Sequence, residues 1–162
     1  MMLARTLLQS LVMTALLPLN AEVSNRILAP QHIDVETYGP GNQALTAGKV
    51  LLMSKNQVCR LILYPNTDLR LEWSTSQGWI KYWSSYGSSL PSGNAQKYGH
   101  ECYFAMGNGL IRVCTYRPAA PQEDPYCWFS REYPNLTGLE LADDGVLYAM
   151  TTGPRIEVAR RP

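Results

Sequence analysis

Two histidines, His32 and His100, are all that 162 residues provide, and both stand apart from each other and from the four cysteines. A Ser or Cys nucleophile therefore has no readable base beside it. A zinc site lacks ligands at usable spacing, since no two cysteines form a Cys-x-x-Cys pair. Neither sign of charge prevails: fourteen Lys and Arg meet thirteen Asp and Glu, for a net charge of +1. That balance excludes the basic stripe that grips a nucleic-acid backbone and the polybasic segment that holds a membrane surface. No apolar run reaches the roughly 20 residues of a membrane-spanning helix. Gly107-Asn108-Gly109 is too short for a phosphate loop and suits a hairpin turn. The adjacent Asp143 and Asp144 would point to opposite faces of a strand, so they belong to a turn rather than to an acid–base pair. These absences leave no enzyme, metal or cofactor to argue for. Present instead are ten Tyr, four Trp, twelve Gly and eleven Pro, which favour short strands joined by turns in one all-β domain.

The N-terminal stretch reads as a signal peptide. Arg5 precedes the apolar run Leu7 to Leu19, Pro18 breaks its end, and Ala21 offers a small residue for cleavage. Residues 1–21 are expected to be removed, and the chain to be secreted with no stable membrane anchor. Residues 22–42, with Pro30, Gly39, Pro40 and Gly41, read as a linker. In an oxidising compartment four cysteines should pair. The preferred pairs are Cys59–Cys102, which share the inward phase of equivalent strands, and Cys114–Cys127, which close the Pro-rich excursion Arg117 to Pro125. The rival is Cys102–Cys114 across one hairpin. Asn135-Leu136-Thr137 is a candidate glycosylation sequon at Asn135.

From there the chain repeats a unit of strand, tight turn, strand and aromatic-ended strand. Copies begin at Cys59, Cys102 and Leu139, 43 and 37 residues apart, and imply threefold pseudo-symmetry. In the first copy Leu61, Leu63, Leu69, Leu71 and Trp73 alternate with Tyr64, Asn66, Asp68, Arg70 and Glu72. The first set belongs to the core and the second to solvent or a ligand. Trp73 and Trp83 read as core anchors.

These repeats resemble the bulb-type (monocot) mannose-binding lectin family. Leu45-Thr-Ala-Gly48-Lys-Val-Leu51 is similar to its opening Leu-x-x-Gly-x-x-Leu. Asn66-Thr-Asp68-Leu69, Gly107-Asn-Gly109-Leu110 and Asp144-Gly-Val146-Leu147 are similar to its Asp-x-Asn-Leu turns, and Trp83 and Trp128 to its third-strand tryptophan. The resemblance implies a β-prism II of three tandem subdomains over residues 43–162, and a partner that is a glycan or glycoprotein, in a possible homo-oligomer.

The family's Gln-x-Asp-x-Asn-x-Val-x-Tyr site survives in no copy. The first offers Tyr64, Asn66, Asp68, Arg70 and Glu72. The second offers Ala105, Gly107, Gly109, Ile111 and Val113, and reads as scaffold. The third offers Ala142, Asp144, Val146, Tyr148 and Met150, keeping Asp144. The resemblance thus implies carbohydrate binding through Tyr64, Asn66, Asp68 and Asp144 at altered or partly lost mannose sites. The alternative is an extracellular protein-interaction module on a lectin scaffold without sugar binding.

Overall fold

The computed structural model of the chain describes residues 23–85 and 101–162; the expected signal peptide and His100 lie outside them. The period-two alternation of the sequence becomes twelve strands in three four-stranded antiparallel sheets. The first sheet orders β3 (Lys49–Met53), β4 (Cys59–Leu63), β5 (Leu69–Thr75) and β6 (Gly78–Ser84). The second orders β2 (Gln31–Val35), β7 (Glu101–Gly107), β8 (Leu110–Tyr116) and β9 (Tyr126–Phe129). The third orders β1 (Arg26–Leu28), β10 (Leu136–Leu141), β11 (Leu147–Thr151) and β12 (Ile156–Ala159).

Each repeat supplies three strands of one sheet, and the fourth comes from the chain ahead of the first repeat: β3 for the first sheet, β2 for the second and β1 for the third. The stretch expected as a linker thus carries two sheet strands. Within it β1 pairs with β10 and β2 pairs with β7. Pro30 separates β1 from β2, and Gly39 caps a 3-10 turn at Pro40–Asn42 that carries the chain onward. Gly48 has a local reason for being glycine, because a Cβ there would come within 2.7 Å of Ile62 Cγ1. The chain entering β3 thus lies over Ile62, which is buried although it points away from the core cluster.

Inward-facing residues of all three sheets meet in one core: Leu61, Leu63, Leu69 and Leu71 from the first, Phe104, Met106, Ile111 and Val113 from the second, Leu139, Leu141, Leu147 and Ala149 from the third. Trp73, Trp83 and Trp128 pack at its margin, half-buried, and Trp83 meets Trp128 edge-on at 6.3 Å. The repeats also lean on one another's turns in a closed order. Cys59, opening β4, lies against the β10–β11 turn, where a Cβ on Gly145 would stand 3.1 Å from its Sγ. Cys102, opening β7, lies against the β4–β5 turn, its Sγ 3.7 Å from the Tyr64 carbonyl. Ahead of β10, the Tyr133 amide donates to the Gly109 carbonyl of the β7–β8 turn at 2.7 Å.

That arrangement corrects the expected Cys59–Cys102 pair. Both cysteines are buried free thiols. They do share the inward phase, but Cys102 sits at the Tyr64 end of β4 and Cys59 at the other. Five residues of strand separate those ends by about 17 Å, and a disulfide needs Cα atoms within about 7 Å. Cys114 and Cys127 lie directly opposite each other on β8 and β9, and they are disulfide-bonded. The rival Cys102–Cys114 pair is not formed either, because the register sets Cys114 against Tyr103 and Cys102 against Thr115. Asn135 lies in an exposed turn ahead of β10 with φ 56°, and Thr137 is exposed as well.

Candidate functional site

The β4–β5 and β10–β11 connections are the same five-residue loop built twice. In the first, the Tyr64 amide donates to the Asp68 carbonyl and the Thr67 amide to the Tyr64 carbonyl. In the second, Ala142, Val146 and Gly145 repeat the pattern. Thr67 (φ 73°) and Gly145 (φ 85°) occupy the same left-handed position. Each loop is capped by a side chain. Asn66 Oδ1 accepts from the Asp68 amide at 3.1 Å, and Asp144 Oδ1 from the Val146 amide at 3.1 Å. Asn and Asp suit this position because their short side chains reach the backbone two residues on.

The cap leaves the Asn66 Nδ2 donor uncommitted among the described residues. Around it Thr46, Tyr64, Pro65, Asn66 and Arg70 line a groove of about 260 Å³. Arg70 lies over the Tyr64 ring, its guanidinium carbon 4.7 Å from the ring centre. Tyr64 donates its hydroxyl to Glu72 Oε1 at 2.8 Å. Burial, that hydrogen bond and the Glu72 charge together raise the pKa of Tyr64.

Asp68 does not face the groove. It is 1% exposed, its Oδ2 accepts from Arg70 Nε and its Oδ1 from Ser84 Oγ. The expectation that Asp68 meets a ligand directly is corrected: it is a positioning residue that holds Arg70. Burial alone would lower the Arg70 pKa, but the hydrogen bond and charge of Asp68 outweigh it and the pKa rises. Glu72, 3% exposed, is likewise no solvated strand residue. It ties Arg60 (2.7 Å), Arg70 and the Tyr64 hydroxyl into one network. Carboxylates this buried require such partners.

Asp144 is exposed in the third sheet's turn and does not join Tyr64 and Asn66. Its neighbour Asp143 accepts from the Asn56 amide at 3.0 Å, which pins that turn to the β3–β4 connection. The outer face of the third sheet carries another buried carboxylate, Glu140, held by Arg26 and by Arg155 at 3.0 Å, with Arg155 stacked 3.9 Å over Tyr148. Sequence reasoning passed over Arg26, Glu140 and Arg155; their signal was the alternation itself.

The second sheet departs most from expectation. Between equivalent inward-facing pairs its hairpin is one residue shorter, with four residues between Met106 and Ile111 where five lie between Leu63 and Leu69 and between Leu141 and Leu147. Asn108 (φ 52°) and Gly109 (φ 77°) form a two-residue loop with both φ positive, the geometry that Asn-Gly favours in hairpins. Met106 pairs with Ile111, as Leu63 pairs with Leu69 and Leu141 with Leu147. The counterpart of Leu69 is therefore Ile111, not Leu110, and a one-residue slip turns every side chain of a strand over. Ile111 and Val113 point into the core. Outward on β8 stand Arg112, Cys114 and Tyr116, so the second copy keeps polar and aromatic groups that the sequence register hides.

No family model, no curated protein and no solved structure matches the chain. The functional reading accordingly rests on the residues and their geometry.

Proposed function

We propose that this chain is a secreted, non-enzymatic carbohydrate-binding domain of the β-prism II, bulb-type lectin kind, with its altered site at the β4–β5 turn. The observation that carries this reading is the groove bounded by Thr46, Tyr64, Asn66 and Arg70. Three of those residues occupy positions that the family uses for sugar recognition. Three repeats that each build one sheet support the prism, and the Cys114–Cys127 disulfide supports export.

In the groove the Arg70 guanidinium and the Asn66 amide donate to sugar hydroxyls, the Thr46 hydroxyl donates or accepts, and Pro65 offers apolar contact. Arg70 replaces the family's valine, so the site favours ligands rich in acceptors, and mannose has no special claim. A protein-interaction module remains the second reading, on one observation: Trp79 and Ile80, neighbours on the edge strand β6, are 36% and 43% exposed.

Isothermal titration of the exported domain with methyl α-D-mannoside and with a sialoside tests the groove. Binding that Asn66→Ala or Arg70→Ala weakens by about tenfold or more, the worth of one charge-assisted hydrogen bond, supports the site. Binding that both variants leave intact removes it from this turn.

A further inference from the structure

The lectin reading leaves unused the Pro-rich excursion between β8 and β9. It is a compact built loop: the Ala120 amide donates to the Arg117 carbonyl, the Glu123 amide to the Ala120 carbonyl, and Arg117 Nη2 to Glu123 Oε1 at 2.6 Å. Cys114 and Cys127 lock its base. Beneath it, on the outer face of the second sheet, is a cavity of about 370 Å³. That volume lies at the small end of ligand pockets, which run from about 300 Å³ upward.

The floor is aromatic. His32 stacks on Tyr103 with ring centres 4.3 Å apart and planes 25° from parallel, and Tyr103 leans on Tyr116 at 5.8 Å. The rim is polar and of both signs. Asp34 bonds His32 Nε2 through Oδ1 at 3.0 Å, while 65% of its side chain stays exposed. Arg117 contributes Nε, a buried donor with no partner among the described residues.

We infer that this cleft is a second carbohydrate site, in which one pyranose ring lies on the His32–Tyr103–Tyr116 floor with its hydroxyls on Asp34 and Arg117. The shape excludes the nearest competitors. Tyr103 and Tyr116 touch each other, so they form a platform and leave no gap for the cage that surrounds a methylated ammonium. Asp34 and Glu123 oppose an anion. A neutral ligand with one apolar face and a rim of both donors and acceptors matches what remains. The cleft lies at the strand ends remote from the Asn108-Gly109 turn, so it does not repeat the turn-end position of the first sheet and stands without it.

Saturation-transfer NMR on the exported domain tests this, with methyl glycosides of mannose, galactose and N-acetylglucosamine as probes and adenosine as the flat aromatic control. Measured in the Asn66→Ala background, which weakens the first site, at least one glycoside should receive saturation on the ring protons of one face. Adding Tyr103→Ala should abolish that signal, and adding Asp34→Asn, at an exposed position, should weaken affinity roughly tenfold. A parent signal that Asn66→Ala alone removes would overturn this site and keep the first. A parent signal that Asn66→Ala leaves at full strength and Asp34→Asn removes keeps this site and removes the first. Saturation of no glycoside, or equal binding of adenosine, overturns the inference.

Discussion

Replacing Asp68 by alanine separates a ligand-binding role from a positioning one. The carboxylate is 1% exposed and accepts from Arg70 Nε and Ser84 Oγ. A hydrogen bond to a charged group is worth about 1.5–3 kcal/mol, so two would sum to roughly 3–6 kcal/mol. The Arg70 side chain is 30% exposed, and solvent screening moves its share toward the surface-pair range of about 0–1 kcal/mol. The expected loss is therefore about 3 kcal/mol, or roughly 10 °C in melting temperature for a domain of this size. Urea unfolding followed by tryptophan fluorescence reads it as a lower midpoint at constant slope. Asp68→Asn, which keeps an acceptor for Ser84 and gives up the charge, should fall at about half that loss. An Asp68→Ala protein within about 0.5 kcal/mol of its parent, the range of ordinary surface substitutions, would refute the positioning role.

Thiol titration should find two reactive thiols in the unfolded, non-reduced chain and none in the folded one, because Cys59 and Cys102 are buried. Burial, with the Glu101 charge adding to it, pushes the Cys102 thiol up to about 12. A raised acid binds its proton more tightly when folded, so its contribution is complete below pH 9 and is lost as pH climbs toward 12. Alkaline denaturation should show that decline, and Cys102→Ala should make it shallower by up to about 1.4 kcal/mol per pH unit. Cys114→Ser with Cys127→Ser opens a loop of 13 residues and should cost about 3 kcal/mol in the chain-entropy model, measured by calorimetry. Gly138→Ala places a Cβ 2.4 Å from the Ile27 carbonyl oxygen. It should push β1 off β10 and destabilise by roughly 1–3 kcal/mol, with faster hydrogen exchange at Ile27 as its signature.

Much of the fold was legible because strand alternation is a local signal. Leu61, Leu63, Leu69 and Leu71 read as core from their spacing, and they are core. The three repeats each became one sheet. What local pattern cannot carry is pairing at a distance. Arg26–Leu28 and Gln31–Val35 are too short to announce themselves as strands beside Pro30, yet each completes a sheet whose other strands begin more than sixty residues further along the chain. Loop length was the other blind spot. Aligning the turns on Leu69, Leu110 and Leu147 ignored one missing residue in the second, and that single deletion hid Arg112 and Tyr116 behind Ile111 and Val113. At the site, Tyr64 and Asn66 were legible as neighbours of one groove. Asp68 was not legible as buried, because the partner that covers it, Ser84, lies sixteen residues away on β6.

Carbohydrate recognition by the folded domain is tested most directly on a glycan array probed with the exported, disulfide-intact protein, beside its Arg70→Ala and Asp34→Asn forms. The account predicts that the parent binds a defined group of glycans and that at least one variant loses part of that group while remaining folded. A parent that binds no glycan on the array contradicts it, and leaves the exposed Trp79 and Ile80 of β6 as the surface to probe for a protein partner.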